Sequence, residues 1–184
     1  MRTEFLYASI ADTQSTIRSI DVRAGFLFVV LFIPLSLLDK VRAILAFPAH
    51  PAPAMTVWCV VALAVWLLAI IALFRTVVAI DNPSKHVTGP QGNGSFYSAD
   101  LFSLNISDVY RNRRTLSSRT VEEERSILPS DDTELEIELT TEKMKLAYIR
   151  AMKIKRLTTA AWLTLVWITL SGGLAGFTRL YSWL

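Results

Sequence analysis

One side chain that could serve as a thiol nucleophile or a soft metal ligand occurs in this chain, Cys59, and it falls inside the charge-free run Met55–Phe74. A lone cysteine there implies neither a disulfide nor a thiol site. The histidines, His50 and His86, stand on either side of that run. They cannot share a metal, and neither has a ligand set around it, so no metal site is expected. With a single His after the run, no Ser/His/Asp arrangement can be assembled there. The carboxylates at 122–124 and 131–138 have no companion motif and read as a solvated face. "GPQGNGS" has three glycines without a following Lys, so it is not a Walker A loop. It reads as a linker, with the alternative of offering backbone N–H groups to a phosphate before the helix after Ser95. These patterns give no catalytic residue, no cofactor and no enzyme.

A second set of residues suits binding. "YRNRR" places Tyr110 beside Arg111, Arg113 and Arg114, and "SFYSADLF" contributes Phe96 and Tyr97. Arg contacts phosphate oxygens bidentately, and aromatic rings stack on a base. Core aromatics and arginines facing lipid headgroups are the competing readings of the same residues.

The elements that must position these groups are dominated by lipid. The 184 residues are 52% hydrophobic with mean hydropathy +0.40, and the apolar residues concentrate in Ala24–Leu38, Met55–Phe74 and Leu157–Leu184. A bilayer core takes about 20 apolar residues in a helix. Met55–Phe74 and Leu157–Thr178 carry no charge and are apolar all round, unlike a soluble core helix. The first block is short, but it extends back through Ile20 if Asp21 and Arg23 lie at the headgroups. Arg reaches water along its apolar stem, and Asp21 can pair with Arg23 or with another helix. These two residues therefore mark where the helix enters the bilayer. A helix lying along the membrane surface is the competing reading. Pro34 is expected to kink this span. Glu4 and Asp12 argue against a cleavable signal peptide, which leaves an uncleaved anchor.

The sequence therefore predicts an all-α membrane protein with three transmembrane helices. The segments are a cytoplasmic N-terminal stretch 1–19, a first span 20–38, an external loop 39–54 and a second span 55–77. A cytoplasmic sensor or coupling region 78–156, a third span 157–179 and an external C-terminus 180–184 follow. Orientation comes from Lys and Arg near the span ends. Lys143, Lys145, Arg150, Lys153, Lys155 and Arg156 precede the third span, and Arg2, Arg18 and Arg23 precede the first. This gives a cytoplasmic N-terminus and a periplasmic C-terminus. The pI of about 9.2 reflects anchoring, and no aromatic and basic interleaving points to nucleic acid.

After Pro129 there is no further Pro, and no Gly until Gly172. Asp131 with Glu134 fits a capping box. One helix is predicted from about Asp131 through the membrane to about Arg179, about 70 Å long. Its acidic start, Glu134 to Glu142, stands toward Arg111, Arg113, Arg114 or Arg119, and its basic end suits anionic headgroups. Near its far end, Gly172 and Gly176 form Gly-x-x-x-Gly, a helix-packing pattern that serves either a second copy or the chain's own spans.

The order of these features resembles the transmembrane effectors of bacterial Pycsar systems. "DVRAG" (Asp21–Gly25) is similar to that family's Asp-x-Lys/Arg-Ala at the start of its first span. "IDNPS" is similar to its Pro-containing exit from the second, and "SFYSADLF" to its aromatic segment. "TELEIELTTEKMKLAYIRAMKIKRL" resembles its acidic-then-basic helix running into the last span. The resemblance implies a multi-pass effector of the bacterial inner membrane. A partner cyclase would make cyclic UMP or cyclic CMP on phage infection. The inner region itself would bind this activating ligand, because the chain has no room for a separate nucleotide-binding domain. Membrane integrity would then fail and infection would abort by cell death or growth arrest, through a homo-oligomer in the bilayer. The alternatives are a constitutive scaffold or adaptor without ligand gating and a small channel subunit. Mid-span residues offer only Ser36, Thr164, Thr169 and Ser171, which suits an ion relay poorly.

Overall fold

Leu6, Ile10, Thr13, Ile17, Ile20, Ala24 and Leu31 recur at intervals of four and three, closing with one of seven. In the computed structural model they are the inward stripe of a single helix, α1 (Arg2–Ser36), with Ile17 half-buried and the others buried. The structure describes residues 2–36, 53–78, 80, 83–89, 101 and 117–181. The stretch expected only as an N-terminal segment before the first span is thus helix from Arg2, and α1 stays helical through Pro34.

α2 (Pro53–Val77) starts on a proline, which suits a first helical turn whose N–H groups have no helical acceptor. A 3-10 turn, Pro83–His86, follows, and Gly89 takes φ +120°, a backbone conformation open to glycine. α3 (Val121–Ile127) is short and fully capped. The Thr120 hydroxyl accepts the Glu123 N–H, and the Glu123 carboxylate accepts the Thr120 N–H. It ends where Leu128 turns extended ahead of Pro129.

α4 (Asp132–Tyr181) is the expected long helix, 50 residues and about 75 Å. Its cap differs in detail from the box read in the sequence. Asp131 Oδ1 accepts the Glu134 N–H at 2.7 Å, but the Glu134 carboxylate reaches back to Ser130, taking both its N–H and its hydroxyl. Among the described residues there are four α-helices and no strand.

Residues 1–14 and 82–148 form one compact unit, and residues 15–81 and 149–184 a second. In the first, Arg2 pairs with Glu136 at 3.6 Å, Lys143 lies over the Phe5 ring at 5.1 Å, and His86 stacks on Tyr148 at 4.3 Å.

In the second, α1, α2 and the C-terminal part of α4 pack around Ala24, Leu31, Ala69, Leu73 and Ala160, all fully buried. Three of these are alanines. Lipid tails give helices no hydrophobic drive to associate, so close backbone approach past small side chains matters more here than in water. Two indoles fasten the helices further. Trp66 Nε1 donates to the Leu31 carbonyl at 3.0 Å, and Trp58 Nε1 to the Leu170 carbonyl at 3.1 Å. Phe28 meets Phe74 edge to face at 5.1 Å.

Among the described residues two helices are long and apolar enough to cross a membrane, α2 and α4 from Asp132 to Phe177. Large apolar side chains such as Val57, Leu63, Trp162 and Leu165 point outward from them.

Candidate functional site

Lys153 and Arg156 are one turn apart on α4, and each reaches a different helix. Lys153 Nζ donates to Asp21 Oδ1 on α1 at 2.5 Å. Arg156 Nη1 donates to the Arg75 carbonyl at 2.6 Å, in the last turn of α2. The last carbonyls of a helix have no partner within it, and a cation there also meets the negative end of the helix dipole. Arg156 therefore caps α2 from another helix. The Lys153 side chain is only 9% exposed, against 41% for Asp21, so the ammonium has lost most of its water and depends on that carboxylate.

The spacing places this polar turn on the packing face. Lys153 lies two turns before the fully buried Ala160, and Asp21 one turn before the fully buried Ala24. Along α4 the inward residues Lys153, Arg156, Ala160, Leu163, Trp167, Ser171 and Leu174 keep three-four spacing. Such spacing suits left-handed packing of near-parallel helices. Two charged residues thus occupy consecutive positions of a seam that is otherwise mostly apolar.

The first unit holds a separate charged arrangement. Glu138 and Glu142 are each 2% exposed, and Lys145 Nζ contacts Glu142 Oε1 at 2.6 Å. The solvated acidic face read from the sequence at 131–138 is therefore corrected at Glu138. Both glutamates sit on the inward side of α4 because Leu139 and Leu146 share that side. Arg119 pairs with Glu124 at 3.2 Å, inside the segment that carries α3. A hollow of about 400 Å³ is lined by Arg2, Phe5, Leu6, Glu136 and Thr140. The helix starts beside it are rich in carboxylates (Glu4, Asp132, Glu134, Glu136), so on charge alone it does not suit an anion. Among the described residues no group of three or more His, Cys, Asp or Glu side chains comes together as a metal site.

Of the residues singled out in the sequence, Asp21 finds its partner on another helix, Lys153, and Arg23 is exposed. A side chain built at Gly172 or Gly176 would meet no atom of the described residues within 4 Å. At Gly173 the new Cβ would stand 3.1 Å from the Trp58 ring. It is therefore Gly173, absent from the Gly-x-x-x-Gly pair, that packs against α2. Arg111, Arg113, Arg114, Phe96, Tyr97, Tyr110 and His50 lie outside the described residues. Sequence reasoning missed Lys153 and Arg156 as interhelical partners, because a basic cluster before a span reads first as a headgroup contact. The signal available was their three-four spacing to Ala160.

Apolar helices, a small-residue core and one polar turn on the packing face describe a membrane bundle, and the sequence pattern of the Pycsar effector protein domain matches residues 5–178. The chain belongs to this family. No curated protein and no solved structure matches it. Membership of the Pycsar effectors makes it an antiphage defence protein, and with its two apolar helices assigns it to a membrane. It also implies a cyclic nucleotide made by a cyclase as its partner.

Proposed function

We propose that this Pycsar effector is silent in the inner membrane until a cyclic pyrimidine mononucleotide, cyclic UMP or cyclic CMP, binds its inner region. The bundle then rearranges, the membrane barrier fails, and infection aborts with the cell's death or arrest. The observation that carries this reading is the family match over nearly the whole chain. The apolar run of α1 serves as a third span. The protein acts without catalysis, with its N-terminus and residues 78–156 in the cytoplasm and its C-terminus in the periplasm. The Lys and Arg flanking the spans support that orientation.

The phosphate is held by Arg111, Arg113 and Arg114 and the base by Phe96, Tyr97 and Tyr110. Two considerations support this choice. The described start of α4 is acidic, so an anion needs cations from elsewhere, and this is the densest group of arginines between the two candidate spans. Tyr110 next to them, with Phe96 and Tyr97 earlier in the same region, supplies the stacking surface.

The test joins cells and purified protein. The effector expressed alone should be harmless, and with a pyrimidine cyclase it should admit a membrane-impermeant dye. A reporter active only in the cytoplasm should work after Gly92 and fail after Leu184. In detergent the protein should bind cyclic UMP or cyclic CMP, with Arg111→Ala plus Arg114→Ala weakening binding about tenfold or more, since a charge-assisted contact contributes roughly 1.5–3 kcal/mol. Absence of any heat with both nucleotides would remove the messenger reading. Unchanged affinity in the double variant would remove these arginines alone.

A further inference from the structure

The polar turn of α4 does more than mark a depth in the membrane. We infer that Lys153 and Arg156 form the fastening that holds the effector closed, with Asp21 and the Arg75 carbonyl as the two points to which α4 is tied. This rests on the gated-effector reading above and names the contact on which gating acts.

The geometry has three parts. First, the two ties arise from a single turn of one helix and reach both of the other helices in the bundle. Rotation or sliding of α4 by a fraction of a turn breaks both together, whereas an apolar seam tolerates small slips. Polar residues at seam positions fix register for this reason. Second, the ties are asymmetric. Lys153 is almost fully enclosed and Asp21 is partly wet. Loss of the carboxylate strands a desolvated ammonium, while loss of the ammonium leaves a carboxylate that water can still reach. The closed arrangement thus depends most on Asp21 being present. Third, α4 runs uninterrupted from Asp132 to Tyr181, so a push on its acidic first turns travels along a stiff helix to this turn.

Arg23, two residues from Asp21 and exposed, does not substitute in this role. Its long stem lets it serve the headgroups while Asp21 serves the bundle. The two charges at the entry to the apolar run of α1 therefore have separate tasks, one toward lipid and one toward α4.

The experiment uses the full-length chain in cells and in vesicles. Asp21→Ala and Lys153→Ala should each reach the membrane in normal amount and admit dye without any cyclase, at least about tenfold above the unaltered protein, with Asp21→Ala the stronger. The exchange of charges, Asp21→Lys with Lys153→Asp, should return the protein to silence and to cyclase dependence. Arg23→Ala should stay silent. Arg156→Ala, which frees α2 alone, should leak less than Asp21→Ala. Leakage from a variant and its loss on charge exchange support the fastening. Silent single variants, or an exchanged pair as leaky as either single, overturn it.

Should the single variants fail to insert, a cross-link decides instead. With Cys59→Ser in the background, Asp21→Cys and Lys153→Cys joined by a short bis-maleimide should hold dye in vesicles when cyclic UMP or cyclic CMP is added, while the unlinked protein releases it. A cross-linked protein that leaks as readily as the unlinked one overturns the fastening. Unaltered protein that ignores both nucleotides and the cyclase fails at an earlier point, and counts against the gated-effector reading itself.

Discussion

Gly172, Gly173 and Gly176 lie within two turns of α4, and their surroundings differ by one ring. A Cβ at Gly173 would press on Trp58 at 3.1 Å, and that ring cannot swing away cheaply because its Nε1 is bonded to the Leu170 carbonyl. Overpacking of this kind costs about 1–3 kcal/mol. Gly173→Val should therefore lower the melting temperature in detergent, by about 2–4 °C for each kcal/mol in a chain of this size. Gly172→Ala meets nothing within 4 Å of the described residues and replaces glycine in a helix interior, so it should leave the melting temperature level or raise it by up to the equivalent of about 1 kcal/mol. Trp58→Ala should remove most of the penalty of Gly173→Val when the two are combined. A Gly173→Val protein that melts with the unaltered chain would mean that α2 and α4 do not meet at this ring.

The long helix follows from what its sequence lacks. Between Pro129 and Gly172 there is no breaker, and Asp131 stands where a cap belongs. Asp131→Ala should cost about 1 kcal/mol of local stability. Backbone amides at 133–136 should then exchange roughly fivefold faster with solvent while those near Ala160 keep their protection. Equal acceleration along the whole of α4 would show that the cap holds more than its own turn. α1 was harder to read. Its first half is polar, so hydropathy ends at the membrane boundary, and only the three-four spacing from Leu6 to Ala24 shows that the helix extends to the start. In α2 the difficulty is reversed. Every face is apolar, and nothing in the sequence distinguishes Ala62, Ala69 and Leu73, which turn inward, from Leu63 and Leu67, which point outward. The partner of Asp21 was beyond reach for a third reason. Six basic residues precede the last span, and the choice of Lys153 depends on the rotation of α4 about its own axis, which sequence periodicity states only once the seam is known. The ligand residues proposed at 96–114 rest on side-chain chemistry alone.

At the scale of the whole molecule, the bundle of one chain is small. In the second unit the described helices pack closely around Ala24, Ala69 and Ala160, so the proposed breach of the membrane calls for several copies of the chain rather than one. The remaining small pair on α4 is suited to that step. Gly173 is committed to Trp58, whereas Gly172 and Gly176 lie four residues apart on a face where no described atom comes within 4 Å of a built Cβ. Seam residues Trp167, Ser171 and Leu174 face inward beside them, so this pair flanks the bundle instead of closing it. The activated effector should therefore assemble through Gly172 and Gly176. Gly172→Ile with Gly176→Ile holds two backbones apart, and every 1.4 kcal/mol lost from the contact is a tenfold loss in association. The double variant should insert at normal level, bind the nucleotide as before, give far fewer cross-linked oligomers and spare cells that carry the cyclase. A variant that inserts, binds and still kills would place assembly on another face. One that no longer binds nucleotide would show that this end of α4 is coupled to the ligand through the chain itself.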